Sequence, residues 1–118
     1  GQYSAVFGNF LKQRRTNKPL TIVGDGKQTR DFIHVDDLTN AFIKVAKSNL
    51  VNKIYNLGSG KETSINKIAN LFGGKKKFIP KRPREPKRSL ANISKIKKDI
   101  HWKPTITIQE GVRRLLKN

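Results

Sequence analysis

Apolar residues recur along the chain in alternating helical and extended patterns. From Leu38 to Ala46 they follow the i, i+3, i+4, i+7, i+8 spacing of an amphipathic helix. Asp36 and Asp37 precede this run, and we predict that they supply the capping acceptors at the start of the helix. Similar signals predict four further helices. The first is Ser4–Lys18, and the second contains Ile65, Ile68, Ala69 and Phe72 and is capped by Thr63 or Ser64. The third is Ser94–Ile100, and the fourth starts at a capping box of Thr107 and Glu110.

Short apolar and β-branched runs predict the strands. They are Leu20–Val23, Thr29–Val35, Lys53–Leu57 and a short strand at Phe78 and Ile79. A glycine turn, Gly24–Gly26, separates the first two. The strand at Lys53–Leu57 is bounded like a parallel-sheet strand, yet the chain offers no array of parallel partners. We therefore predict an α/β fold with a few short strands and about five helices, in which part of a larger sheet lies outside this chain.

Length and composition limit the class of protein. With 118 residues the chain makes one domain, residues 1–118, and no apolar run is long enough to span a membrane. Cysteine is absent, which excludes disulfides, thiolate metal sites and cysteine nucleophiles. Methionine is absent as well and the chain opens at Gly1 without a signal-peptide pattern, so we expect a fragment or a processed product.

The net charge of +18 attracts anions. It is concentrated between Lys75 and Arg88, where eight residues are basic and only Glu85 is acidic. Three interpretations remain open at this point: a nucleic-acid-binding module, a solvated lysine-rich surface, and a phosphate site that needs only one or two well-placed arginines. No helix-turn-helix, zinc-finger or RNP-type motif supports the first.

Few residues suggest chemistry on their own. Gly58-Ser59-Gly60 follows a predicted strand, as the start of a dinucleotide-binding fingerprint does. The third glycine of that fingerprint is missing here, so we interpret the segment as a structural turn. His34 and His101 have no ligand-type neighbours, and no metal site is predicted. Arg30, in an extended segment after the glycine turn, can aim its guanidinium at a phosphate or pair with a nearby aspartate. Arg82 and Arg84 lie among prolines that stiffen their loop, which makes an anion clamp possible.

Five stretches taken in order form a connected signature: LTIVGDGKQTRDFIHVDDL, KIYNLGSG, TSIN, RPREPKRSLANISK, and W-K-P before the last helix. This signature resembles the C-terminal part of the extended short-chain dehydrogenase/reductase family, the NAD-dependent nucleotide-sugar epimerases and dehydratases, with the strongest likeness to UDP-glucose 4-epimerases. The likeness extends over essentially the whole chain. It implies that the chain is the substrate-binding C-terminal lobe and lacks most of the Rossmann sheet.

The resemblance also implies what lies elsewhere. In this family the N-terminal lobe holds the glycine-rich NAD turn and the catalytic Tyr-x-x-x-Lys pair. Neither tyrosine of this chain, Tyr3 or Tyr55, is followed four residues later by lysine. The implied NAD is therefore bound by an N-terminal lobe that is not in this chain, and no catalytic or cofactor-binding residue is assigned here.

Substrate-binding roles carry over position by position. Arg30 and Arg82 resemble the two arginines that grip the substrate diphosphate, and Glu85 stands where an acid contacts the ribose. The main chain of Thr21 and Val23 matches the strand edge that reads the pyrimidine base. Val6 matches a residue that lines the nucleotide pocket, whereas Arg84 departs from the family, which usually has glycine there.

The resemblance implies an isomerase that transfers a hydride transiently to NAD, lets the 4-keto sugar rotate and returns the hydride to its other face, while this lobe anchors the UDP moiety. A nucleotide-sugar 4,6-dehydratase and a UDP-sugar decarboxylase are the alternatives within the family. A basic polyanion-binding module is the alternative outside it, although nucleic acid is not the expected partner. We expect a cytoplasmic parent enzyme that forms a homodimer, binds a UDP-sugar and has no membrane partner.

Overall fold

The computed structural model describes residues 2–48, 55–81, 87, 88 and 90–117, and in this part the chain forms five helices and four short strands. In chain order they are α1 (Gln2–Arg15), β1 (Leu20–Val23), β2 (Thr29–Arg30), α2 (Val35–Lys47), β3 (Thr63–Ser64), α3 (Ile65–Phe72), β4 (Lys76–Ile79), α4 (Ser94–Ile100) and α5 (Ile108–Lys117). This is the predicted α/β architecture of a few short strands and five helices.

The strands form two small sheets. β1 and β4 pair in parallel, with Leu20 opposite Lys76 and Val23 opposite Ile79. β2 and β3 pair antiparallel over two residues each. Because α3 begins directly after β3, the second sheet places the start of α3 beside the end of β1, where Asn66 N–H donates to Gly26 O over 3.0 Å.

Two hydrophobic clusters form the core. The first joins α1, β1, α3 and α5; its buried members are Phe10, Leu20, Ile22, Phe32, Ile65, Ile68, Ala69, Phe72 and Val112. The second joins α2, α4 and the segment before α5; its buried members are Ala41, Ile93, Ile96 and Trp102. None of the helices in the described part of the chain combines the length and the apolar character needed to cross a bilayer.

Several predicted elements are confirmed. β1 and α4 have the predicted bounds, and α3 begins after Ser64, whose Oγ accepts from Lys67 N–H at 3.1 Å. α1 ends at Arg15, three residues earlier than predicted, because Asn17 adopts a left-handed conformation (φ 57°) and closes the helix. Lys18 N–H then donates to Gln13 O over 2.8 Å, a common helix-terminating bond.

Two predicted extended segments are wrong. Only Thr29 and Arg30 of the segment 29–35 form a strand, because β3 offers only two residues for pairing. Of the predicted strand 53–57, residues 53 and 54 lie outside the described residues. Tyr55–Leu57 is not in a strand, and no strand in the described part of the chain pairs with it.

The predicted capping of α2 is also wrong. His34 is the residue that caps this helix, since its Nδ1 accepts from the Asp36 N–H at 3.0 Å. Asp36 is exposed, with 62% of its side chain accessible. The two carboxylates are thus free of the capping role, because the imidazole already provides the acceptor.

Asp37 instead connects α2 to the chain before α5. Its side chain is 1% exposed and accepts three hydrogen bonds, from the Thr105 N–H (3.0 Å), the Thr105 hydroxyl (2.9 Å) and the Ile106 N–H (2.9 Å). The Trp102 indole N–H donates to the Asp37 carbonyl over 3.1 Å. A buried carboxylate with three donors is fully compensated, and it fixes the Trp-Lys-Pro-Thr segment against the helix.

Replacing Asp37 is expected to destabilise the fold strongly. In Asp37→Asn an amide NH₂ takes the place of one carboxylate oxygen and faces N–H donors, so we expect a loss of about 3 kcal/mol in the free energy of unfolding. Asp36→Asn is the matched control and should change it by less than about 0.5 kcal/mol. Urea denaturation of the three proteins measures both values, and equal effects at the two positions would contradict this role of Asp37.

Candidate functional site

The turn Gly24–Gly26 holds the carboxyl end of β1 in a fixed geometry. Gly24 and Gly26 both have positive φ, 66° and 73°. Asp25 Oδ1 accepts from Lys27 N–H at 2.9 Å, and the Asp25 carbonyl accepts from the Asn66 amide at 2.9 Å. The turn is therefore fixed both internally and against α3.

A cavity of about 360 Å³ opens beside this turn. Its lining combines strand-end backbone with three lysines and one acid: Val23, Gly24, Asp25, Lys27, Gln28, Lys81 and Lys87. Gly24 N–H donates to Ile79 O and Thr29 N–H donates to Lys87 O, both over 2.8 Å. These two bonds hold the two sides of the cavity together. Three lysines against one aspartate give its lining a net positive charge suited to an anion.

The edge of β1 that faces away from β4 carries two glutamines. Gln13, from α1, accepts from the Thr21 N–H at 3.1 Å and donates to the Thr21 hydroxyl over 2.9 Å. Gln28 donates to the Val23 carbonyl over 3.0 Å. The predicted base-reading groups, the main chain of Thr21 and Val23, thus lie on the edge of β1 that faces away from β4. Carboxamide side chains bond them there, and a carboxamide combines a donor and an acceptor as a pyrimidine edge does.

Arg30 is buried, with 4% of the residue exposed, and its Nη1 donates to the Thr29 carbonyl over 2.7 Å. It lies two residues beyond Gln28 but is not among the residues that line the cavity. Val6 is half-buried and packs against the first hydrophobic cluster. Arg82, with Arg84 and Glu85, lies outside the described residues, although Lys81 and Lys87 on either side of residues 82–86 both line the cavity.

An ion pair fixes the chain just after this segment. Arg88 donates from Nε to Glu62 Oε1 (2.6 Å) and from Nη2 to Oε2 (2.7 Å), and the Thr29 hydroxyl donates to the same carboxylate over 3.1 Å. The Arg88 guanidinium, through these bonds, holds the pKa of the Glu62 carboxyl below its ordinary value. The stabilising effect is therefore complete above the ordinary carboxyl pKa and is lost as the pH falls through the lowered one.

The Gly58-Ser59-Gly60 turn binds a carboxylate of its own chain. Asp31, 7% exposed, accepts from the N–H (2.6 Å) and hydroxyl (2.6 Å) of Ser59 and from the N–H groups of Gly60 and Ala91 (both 3.0 Å). The prediction of a structural turn is confirmed. The N–H groups of Ser59 and Gly60 are thus used within the fold, as donors to Asp31.

The structure thus brings together some predicted residues and some that sequence reasoning missed. Val23 lines the cavity and Thr21 lies on the same strand edge, but Lys27, Lys81 and Lys87 were not singled out. The signal for Lys81 and Lys87 was the charge run between Lys75 and Arg88, which does not say which lysines converge, and Lys27 lies outside that run. No group of three potential metal-ligating side chains occurs among the described residues.

Fold and motifs together define the class: an α/β lobe of the kind found in nucleotide-sugar epimerases and dehydratases of the extended short-chain dehydrogenase/reductase family. The family model described as GDP-mannose 4,6 dehydratase matches residues 6–115, which is nearly the whole chain. The chain belongs to this family.

Curated relatives agree with this assignment. A UDP-glucuronate 4-epimerase of Thermodesulfobacterium geofontis is 38% identical over 112 residues, covering 89% of this chain and 34% of the relative. UDP-glucuronic acid decarboxylase 1 of Arabidopsis thaliana is 30% identical over 117 residues, covering 94% of this chain and 27% of the relative. The chain therefore spans about a third or less of the length of these two relatives.

A solved structure shows the same architecture. The UDP-glucuronic acid 4-epimerase from Bacillus cereus, in complex with UDP-glucuronic acid and NAD, superposes with a TM-score of 0.87 at 30% identity. The superposition covers 95% of this chain and 38% of the epimerase. The fold predicted from the family resemblance, a C-terminal lobe of an extended short-chain dehydrogenase, is confirmed.

Gly26 and Gly24 provide a matched test of the turn. An added Cβ at Gly26 would lie 2.0 Å from Asn66 Oδ1 and 2.8 Å from Ile22 Cγ2, whereas at Gly24 it would meet nothing closer than 3.7 Å. Both positions have positive φ, so Gly24→Ala should lower the free energy of unfolding by about 1 kcal/mol. Gly26→Ala adds the clash with Asn66 and Ile22 and should lower it by about 3 kcal/mol or more. Urea denaturation checks this, and equal losses would show that crowding against α3 does not matter.

Proposed function

We propose that this chain is the nucleotide-sugar-binding lobe, residues 1–118, of an NAD-dependent nucleotide-sugar epimerase similar to UDP-glucose 4-epimerases. In this proposal it anchors the UDP moiety while the 4-keto sugar rotates. The rest of such an enzyme would supply the catalytic residues and the NAD site. The chain alone would bind substrate without converting it.

The observation that supports the proposal most directly is the lysine-lined cavity at the carboxyl end of β1. A diphosphate carries its charge within a few ångströms, and three ammonium groups around one opening offer donors to it from different directions. The turn that forms the cavity floor is held by Asn66, so the groups are positioned before a ligand arrives.

Arg30 and Arg82 are proposed to grip the two phosphates, and Glu85 to accept from the ribose hydroxyls. Support for Arg30 comes from its neighbour Thr29, which is bonded through the main chain to Lys87 at the cavity. For Arg82 and Glu85 the support is their position in sequence between two lysines that line the cavity. Val6 is proposed to contribute an apolar contact to the nucleotide.

The base is proposed to bind along the open edge of β1. A uracil ring presents adjacent donors and acceptors, which the main chain of Thr21 and Val23 can match. The carboxamides of Gln13 and Gln28 now satisfy these groups, so they would either turn aside for the base or bind its outer edge. In both cases the base is bound through paired donors and acceptors along this edge.

An epimerase is favoured over a decarboxylase because the epimerase relative is more similar, 38% against 30% identity. A decarboxylase or a 4,6-dehydratase would need the same anchoring of the nucleotide diphosphate. The sugar chemistry depends on residues next to the catalytic tyrosine, which the family places in the other lobe.

Titration of nucleotides into the chain tests the proposal. We expect UDP to bind at least tenfold more tightly than ADP and uridine, because binding needs both the diphosphate and the pyrimidine edge. Arg30→Lys keeps the charge but removes the bidentate fork, and should weaken UDP about tenfold while leaving the circular dichroism spectrum unchanged. Equal affinity for UDP and ADP, or full UDP affinity in the variant, would contradict the assigned site.

The Glu62–Arg88 pair gives a second test. Glu62→Gln removes the pair that fixes the chain after residues 82–86, so UDP affinity should fall up to about fivefold. Glu110→Gln is the matched control. It breaks a similar carboxylate–guanidinium pair with Arg113 on α5, away from the cavity, and should leave UDP affinity unchanged. A similar loss in both variants would mean that Glu62 acts only through general stability.

A further inference from the structure

Two segments that make up about a third of the chain contain no acidic residue. Segments 1–24 and 63–81 include nine lysines and arginines and no aspartate or glutamate, whereas all eight acids belong to other segments. These segments fold together, since α1 and α3 pack on β1 and on each other, and β1 pairs with β4. We call these two segments together the acid-free layer. Its positive charge has no acidic residue within the same segments to compensate it, so the layer attracts polyanions.

β4 forms the outer edge of this layer. In the described part of the chain it pairs only with β1. Leu20 N–H donates to Lys75 O and Gly24 N–H donates to Ile79 O, both over 2.8 Å, so the odd-numbered residues direct their main chain toward β1. In a parallel ladder the N–H groups of Lys76 and Phe78 therefore point outward, where they can donate to an anionic ligand.

Lysines surround this edge on both faces of the strand. Lys75, Lys76 and Lys77 are all exposed. Because side chains alternate along a strand, Lys76 and Lys77 lie on opposite faces. Lys76 lies on the α3 side, where its Nζ donates to the Asn70 side chain. Arg14 extends the basic surface from α1, since its Nε donates to the Phe72 carbonyl over 3.2 Å, just before the turn that leads into β4.

Phe78 adds an aromatic ring to the same edge. It is 55% exposed and is the only large apolar side chain exposed among the described residues of the acid-free layer. An accessible ring among lysines is the combination by which strands bind single-stranded nucleic acid, with bases stacked on the ring and phosphates on the ammonium groups. A membrane surface shares the phosphate chemistry, but insertion usually relies on several apolar side chains, and here there is one.

We propose that the outer edge of β4, with Lys75, Lys76, Lys77 and Phe78, binds single-stranded nucleic acid. The lysines and the outward N–H groups bind successive phosphates, and Phe78 stacks on a base. None of these four residues is among those that line the cavity beside Gly24, so the proposal does not depend on the nucleotide-sugar function.

Fluorescence anisotropy with a labelled twelve-nucleotide oligothymidine tests this proposal on the 118-residue chain. With three or four phosphates neutralised, raising the salt from about 50 to about 200 mM should weaken binding roughly 20- to 50-fold. Excess UDP should not compete. Absence of binding at the lower salt concentration, or displacement of the oligonucleotide by UDP, would overturn the proposal.

Charge-reversed variants locate the site. Replacing Lys75, Lys76 and Lys77 by glutamate should weaken oligonucleotide binding at least tenfold and flatten its salt dependence. The control reverses the same number of exposed lysines, Lys47, Lys98 and Lys103, in segments outside the acid-free layer. It should retain affinity within about threefold, because only long-range attraction changes. Equal losses in the two variants would show a non-specific effect of net charge and overturn the assignment to β4.

Substitutions of Phe78 separate nucleic acid from membrane. Phe78→Leu keeps an apolar side chain but removes stacking, and should weaken oligonucleotide binding about tenfold, whereas Phe78→Trp should retain it. Vesicles of phosphatidylcholine with phosphatidylglycerol provide the comparison in a sedimentation assay. Vesicle binding that is tighter than oligonucleotide binding and unaffected by Phe78→Leu would assign the edge to a membrane surface and overturn the proposal.

Discussion

The fold depends on the buried Asp31 carboxylate, which draws three distant parts of the chain to one point. Its four hydrogen bonds reach Ser59, Gly60 and Ala91, so the turn after Leu57 and the chain leading into α4 both meet the segment after β2. A carboxylate has enough lone pairs for all four donors, and a neutral side chain of its size has not. Arg30 and Phe32 flank it, which means that one residue of the proposed site and one of the core take their positions from this contact.

Acids are scarce in this chain, and most of those described are used to fix its shape. Asp37 holds the segment before α5, Glu62 holds Arg88, and Glu110 accepts from both Arg113 and Arg114, which lower its pKa to about 2. Each of these carboxylates thus accepts from a few donors that lie close to it in the fold, and it does not pair with the lysines elsewhere. The surplus of positive charge is set by composition, 26 lysines and arginines against eight acids, and the fold places several of those acids at fixed points inside it.

Local elements could be predicted from the sequence because their signals lie within a few residues. β1, α3 and α4 follow from β-branched runs, a serine cap and periodic isoleucines. The use of Asp36 and Asp37 could not be predicted, since the competing acceptor was His34 and the real donors of Asp37 lie about seventy residues away. Convergence of Lys27, Lys81 and Lys87 on one cavity likewise depends on the parallel pairing of β1 with β4, which no local pattern encodes. Family motifs supplied Arg30, Arg82 and Glu85, and of these the described residues include Arg30 alone.

The lysines of β4 also affect how copies of this protein meet. An open strand edge can pair with the same edge of a second molecule and extend a sheet across both. Here such pairing would bring six ammonium groups into close contact, and their repulsion opposes it. A bound polyanion would cancel that repulsion. The same edge would then be able to pair with a second copy, so a polyanion bound along β4 would favour edge-to-edge association.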